Sequence, residues 1–314
     1  MTGYDALRSR AAWVDLSARG KIKLTGEDRA RLLHAMTTNH IQQLTPGAGC
    51  YAFFLNDKGR ILADANILCR PDYFLLDVEP ETREKLYQHL DHFIIADDVT
   101  LEDVTDATAT IALEGPQARA ILERVGAPIP EADYGTTEWA GDRLVARLNS
   151  TGSAGFFVFA PAARKPELIA SLEAAGAEPG DEEAFRVVRL EHGKARYGED
   201  ISERFLAQEA NQPQALHFNK GCYLGQEIVE RVRSRGQVHR VLMPLRLATQ
   251  TPPEPGTKLQ IGDANAAEIT SAAYSPALGQ VVALAYVRTE YARPHTTMTF
   301  SNGLQAEVAE PLSG

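Results

Sequence analysis

Near its start the chain alternates polar and apolar side chains at Lys21-Ile22-Lys23-Leu24, turns at Thr25-Gly26-Glu27-Asp28, and then spaces Leu32, Leu33 and Met36 as a helix would. A period of two, a glycine turn and a period near 3.6 predict strand, turn and helix. The same order returns at Ile111 to Leu113, Glu114-Gly115-Pro116-Gln117 and then Ile121 and Leu122, so in both places two apolar residues fall six and seven positions after the glycine. This is the pattern of an internal repeat of one β-turn-α unit. Between the copies, Tyr51–Leu55 and Ile61–Leu68 flank Asn56-Asp57-Lys58-Gly59, which predicts a hairpin. A strand is predicted over Tyr73–Val78, a helix over Glu81–Phe93, a strand over Gly155–Phe159 and helices over Pro166–Ala175 and Glu182–Glu191, with Gly176–Asp181 as a linker. After Arg240 the chain breaks into short β segments divided by Pro252-Pro253, Pro255-Gly256, Ser275-Pro276 and Arg293-Pro294, which predicts a small β-barrel or meander.

Length and charge narrow the classes. With 314 residues the chain exceeds the roughly 250–300 at which a single core stops growing, so two or three lobes are expected. A net charge of -10 argues against a general polyanion binder, because binding a phosphate backbone requires Lys and Arg presented together. The apolar run Val281–Val287 is seven residues, far short of the ~20 that span a bilayer, and the N-terminal stretch is interrupted by Asp5, Arg8, Arg10 and Asp15. No membrane association and a cytoplasmic location are expected. Cys50, Cys69 and Cys222 are odd in number and far apart, which fits reduced thiols. His89 and His92 lie one helical turn apart without further ligand types, so no metal site is read.

The charge is uneven. Asp77 to Asp106 holds ten acidic and two basic residues, most simply a solvated edge, with a docking surface for a basic partner as the alternative. Lys220 to Arg246 holds six basic and two acidic residues, a local +4 that favours an anion site. It begins Lys220-Gly221-Cys222-Tyr223-Leu224-Gly225-Gln226-Glu227 and continues through Arg231, Arg233, Arg235, His239 and Arg240. Gly221 and Gly225 permit main-chain amides to approach a ligand, and a cysteine among cations loses its proton more easily. The same residues equally suit a buried small cysteine beside a solvated helix face.

The eight residues from Lys220 to Glu227 resemble the K-G-C-Y-x-G-Q-E signature of the YgfZ-type folate-binding proteins, a family similar in fold to the glycine-cleavage T-protein, a tetrahydrofolate-dependent aminomethyltransferase. Asp15-Leu16-Ser17, Thr38-Asn39 and Pro46-Gly47 resemble the opening of both families, and Thr270-Ser271 with Ser275-Pro276-Ala277-Leu278-Gly279 is similar to the T-protein barrel segment. The resemblance implies an α+β, three-lobed fold with ferredoxin-like folate-binding lobes and a C-terminal β-barrel. Its divisions fall at 1–110, 111–239 and 240–314, the first two lobes free to interleave.

Arg189-Leu190-Glu191-His192-Gly193 with Tyr197-Gly198 resembles the R-L-E-x-G...Y-G stretch in which the glutamate binds the pterin, and a carboxylate does suit paired N–H donors. Pairing of Glu191 with Arg189 or Arg186 at a helix end is the alternative. Asp64 stands where T-proteins carry G-G-x-x-D-D, one of whose aspartates is catalytic, and a carboxylate there can stabilise positive charge developing at a folate nitrogen. Ala63 replaces the first aspartate and Arg60 the second glycine, and a strand-end aspartate satisfying a turn is the plainer reading.

What the resemblance implies is a tetrahydrofolate-binding accessory protein supporting 4Fe-4S enzymes, with indirect effects on tRNA modification. Glu191 and Asp64 would serve the folate, Lys220, Tyr223 and Arg231 the cofactor and its glutamyl tail, and Cys222 would be the functional thiol. Iron-sulfur proteins or their assembly factors are the implied partners, direct tRNA binding is not expected, and a monomer is. The alternative is an aminomethyltransferase of glycine cleavage.

Overall fold

The computed structural model describes residues 1–236, 238–301 and 303–310, with the Arg235 side chain outside the description. Both repeated units form. Strand Gly20–Thr25 leads through Gly26 into helix Arg29–Met36, and strand Thr108–Glu114 leads through Gly115 into helix Ala118–Arg124. Both turn glycines have positive φ, and a Cβ on Gly26 would lie 2.0 Å from the carbonyl oxygen of Asp98. Gly26→Ala is therefore expected to destabilise the fold by about 2 kcal/mol or more, since it adds both strain and a backbone clash. An unchanged urea midpoint would show that the turn is built differently.

Each unit seeds a sheet of the same strand order. The first runs Gly49–Leu55, Ile61–Cys69, Phe74–Val78, Gly20–Thr25, Thr100–Asp103, all antiparallel. The second runs Thr136–Trp139, Arg143–Ala146, Gly155–Pro161, Thr108–Glu114, then the N-terminal strand Ala12–Asp15, and last Glu178–Pro179. The first strand of the chain is thus inserted into the second sheet, antiparallel to Thr108–Glu114 and parallel to Glu178–Pro179. Gly176–Asp181, read from the sequence as a linker, contains this last strand: the Glu178 amide donates to the carbonyl of Ala11 and that of Gly180 to Trp13.

Helices Arg83–Phe93, Lys165–Ala174 and Glu182–Glu191 stand where the spacing predicts them. The C-terminal strands close into a six-stranded barrel, in the order Arg240–Leu247, Gln280–Arg288, Ala264–Ser275, Lys258–Ile261, Thr297–Thr299, Gln305–Val308. Among the described residues no helix is long and apolar enough to cross a membrane.

The lobes share one core. Phe157 and Ala112 of the second sheet, Phe185 and Val188 of helix Glu182–Glu191, Leu284 and Tyr286 of the barrel, and Leu68 of the first sheet belong to a single buried apolar cluster. Burial of this size, at about 25 cal/mol per Å² of apolar surface, fixes the lobes against one another and leaves a cavity where the facing surfaces turn polar.

Candidate functional site

Strand pairing explains why polar groups collect on one face of the first sheet. Tyr51 lies opposite Asn66, Phe53 opposite Asp64, and Asn66 opposite Asp77, so all share a face. The alternate positions Ala52, Ala63, Ala65, Ile67 and Leu76 pack on the other face with helices Arg29–Met36 and Arg83–Phe93. The polar face borders a central cavity of about 790 Å³, closed on the far side by Phe157 of the second sheet and Phe185 of helix Glu182–Glu191. Tyr51 and Tyr134 add two further rings to its wall, and Tyr134 holds a left-handed backbone with φ 59°.

Asp64 is buried, and Tyr51 Oη donates to its Oδ2 at 2.6 Å. Burial pushes its carboxyl up to about 6, with the nearby Glu79 charge adding and the Tyr51 hydrogen bond opposing. The Tyr51 phenol is itself held well above its usual range by burial and by the Asp64 charge. Around this pair the charges are matched. Arg19 binds Asp77 at 2.9 Å and also Glu79, and Arg196 binds Glu79 at 3.0 Å and Glu81 at 2.7 Å. Burial alone would raise Glu79, but Arg19 and Arg196 outweigh it and hold it below the usual carboxylate range. Arg189 binds Glu199 and Asp200, each at 2.6 Å. Lys194 Nζ donates to the Asn149 carbonyl and, at 2.6 Å, to its Oδ1.

Of the residues singled out from sequence, Asp64 lines this cavity, whereas Glu191, Lys220, Tyr223, Arg231 and Cys222 are not among its lining residues. Glu191 sits at the junction of the N-terminal helix and the barrel, where its carboxylate accepts from Tyr4 Oη, from Ser275 Oγ at 2.6 Å and from Arg8. With its side chain fully buried and its oxygens so engaged, it ties the N-terminal helix to the barrel, and its cation is Arg8 instead of Arg189 or Arg186.

Lys220 is buried, and its Nζ donates to the carbonyls of His34 and Thr37, satisfying the open end of helix Arg29–Met36. Burial pushes its amine down to about 7, and with Nζ committed to two carbonyls away from the cavity it does not present the free cation expected for a glutamyl tail. Tyr223 is buried among Phe53, Leu55, Ile61 and Tyr197. Arg231 is exposed on helix Gln226–Arg235. Cys222 is exposed on the loop before that helix, against the reading of a buried small hydrophobe. Gly225 packs where a Cβ would come within 2.8 Å of the Asn56 carbonyl oxygen, so its smallness serves the hairpin contact.

The acidic tract is likewise not only a solvated edge. Asp77 is fully buried and accepts from Arg19 and, at 2.8 Å, from Asn66, and Glu79 lines the cavity. Tyr51, Glu79, Arg19 and Lys194 were not found from sequence. Lys194 stands directly after Glu191-His192-Gly193, and Asp77 and Glu79 close the predicted strand that ends at Val78. Their signal was present, but only the packing of the lobes around the cavity turns them inward.

Residues 2–220 match the family model of the GCVT N-terminal domain, and residues 240–311 match that of the glycine cleavage T-protein C-terminal barrel domain. The aminomethyltransferase of Rubrobacter xylanophilus is 31% identical over 297 residues, covering 91% of this chain and 78% of that protein. That of Streptomyces coelicolor is 31% identical over 315 residues, covering 93% and 82%. Among solved structures, the glycine cleavage system aminomethyltransferase T from Bartonella henselae superposes with a TM-score of 0.90 at 21% identity, over 99% of this chain and 88% of that one, which establishes a common fold.

Proposed function

Because the chain belongs to the glycine-cleavage T-protein family, we propose that it binds a reduced folate in the central cavity and, through the Cys222 thiol, acts as an accessory to 4Fe-4S enzymes. Tetrahydrofolate is the cofactor of the family's aminomethyltransferases, and the cavity suits it. Its volume of about 790 Å³ falls in the range of small-molecule sites. The rings of Tyr51, Tyr134, Phe157 and Phe185 offer flat apolar walls to a pterin and an aminobenzoyl group. Asp64, buried and without a cation partner, is the carboxylate available to accept pterin N–H groups or to exchange a proton near neutral pH. When bound, the folate would supply the one-carbon carrier. Asp64 would hold or move the proton, and Tyr51 would orient Asp64.

The observation that carries the accessory reading is the exposed thiol of Cys222, set in a K-G-C-Y-L-G-Q-E loop outside the cavity. A thiol so placed meets a macromolecular partner rather than the cavity ligand. Titration of the purified protein with 5-formyl-tetrahydrofolate tests the folate half, and no heat of binding at micromolar concentration would end it. Cys222→Ala is expected to abolish support of a 4Fe-4S enzyme in a strain lacking its own family member while leaving folate affinity within about twofold, as surface substitutions away from a site do. Joint loss of folate binding and solubility would instead make the thiol structural.

The second reading, an aminomethyltransferase of glycine cleavage, is favoured by the names of the curated relatives. It requires ammonia and methylene-tetrahydrofolate to be released from an aminomethyl-lipoyl carrier protein. Absence of that turnover with a competent carrier removes it.

A further inference from the structure

Six cavity cations, Arg19, Arg119, Arg147, Arg186, Arg189 and Arg196, each hold a carboxylate. Lys194 is the exception among the described lining residues: its ammonium meets no carboxylate and donates only to the carbonyl and Oδ1 of Asn149. An ammonium has three donors, so one N–H remains unassigned. Asp64 is the complementary case, an acid whose one side-chain hydrogen bond comes from Tyr51 and which pairs with no cation. A half-buried cation and a buried anion left unpaired in an otherwise matched cavity are costly to keep unless a ligand completes them.

Resting on the folate reading above, we propose that Lys194 is a ligand-binding residue whose free N–H is donated to an oxygen of the cavity ligand, the oxo group of the pterin ring. A pterin presents N–H donors and an oxo acceptor on one flat system, which matches an acid and an amine facing the same space. The charged pair at the cavity's edge, Arg147 and Asp133, is far more exposed, with side chains 41% and 80% accessible, and suits the solvated glutamyl tail instead. Burial pushes the Lys194 amine down to about 8, with Glu114 opposing, so it is largely protonated at pH 7.

The test is calorimetry on the full chain with 5-formyl-tetrahydrofolate and with the corresponding pteroate, which keeps the ring and lacks the glutamate. Lys194→Met is expected to weaken both ligands alike, by about 10- to 100-fold, the range of a hydrogen bond from a charged donor. Lys194→Gln, which keeps an N–H donor, is expected to recover part of the loss. Wild-type affinity should fall as pH rises through about 8, while that of the Met variant stays flat. Wild-type affinity in a folded Met variant overturns the assignment, as does a loss confined to the glutamylated ligand, which would place Lys194 at the tail. If the Met variant does not fold, the Gln variant and the wild-type pH profile decide. If wild type binds neither ligand, the folate reading fails and takes this assignment with it.

Discussion

Asp64→Asn is expected to weaken reduced-folate binding by about 10- to 100-fold, the range for a charge-assisted hydrogen bond, and at the same time to make the protein more stable at neutral pH. The two effects have one origin. Asp64 is buried on the polar face of the first sheet with only Tyr51 bonded to it, and burial raises its carboxyl to about 6. A carboxyl raised from about 3.9 to about 6 favours the folded state fully below the unfolded value and loses that contribution as pH rises through 6. Two units correspond to roughly 3 kcal/mol, which the wild type forgoes at pH 7.5 and which an uncharged, isosteric amide does not. Urea unfolding at pH 7.5 should therefore show the Asn variant ahead by up to about that amount, with the advantage gone near pH 3.5. A variant less stable than wild type at pH 7.5, with folate affinity unchanged, would mean that Asp64 serves a structural turn. The Asn oxygen can still accept from Tyr51, so the comparison isolates charge.

How far the sequence disclosed this site depends on which physical signal each residue carries. Local periodicity was enough for the repeated strand-turn-helix units, because Gly26 and Gly115 mark turns that only positive φ can make. It was enough for the barrel too, where prolines cut the chain into short strands that close into one sheet. It failed for Ala12–Asp15 and Glu178–Pro179, strands of four and two residues that exist only because they pair with each other and with Thr108–Glu114. Such pairing is set by contacts more than 90 residues apart in sequence, for which no local pattern exists.

The site divides in the same way. The place of Asp64 on the cavity wall was legible because its strand position falls on the polar face of the sheet. Lys220 was not: a lysine in a locally +4 segment looks like an anion contact until the structure shows its amine closing the end of a helix. Net charge over a window counts side chains but not their directions, and the same oversight turned the buried Asp77 and half-buried Glu79, both partners of Arg19, into part of a solvated edge.

For Glu191 the family resemblance and the geometry point to different outcomes, and substitution separates them. Its carboxylate receives Tyr4 and Arg8 from the N-terminal helix Tyr4–Ser9 and Ser275 from the barrel, while its own backbone ends helix Glu182–Glu191. Ser275 Oγ in turn accepts from the Leu278 amide at 3.1 Å, and Tyr4 Oη accepts from Ala277 at 3.2 Å, so one carboxylate fastens three segments. Glu191→Ala removes the shared acceptor and leaves two buried hydroxyl groups and a part-buried guanidinium without it. The cost is expected to be about 3 kcal/mol, at the lower end of the range for breaking a buried pair because Arg8 is one-third exposed and can turn to solvent. Glu191→Gln keeps an oxygen for Tyr4 and Ser275 and loses only the charge facing Arg8, so a smaller loss of about 1–2 kcal/mol is expected, with folate affinity at the wild-type level. A Gln variant with wild-type stability and abolished folate binding would reverse the assignment and return Glu191 to the pterin. Because Gln can still accept but cannot attract two N–H donors as an anion does, stability and affinity move in opposite order under the two roles, and measuring both on one protein decides between them.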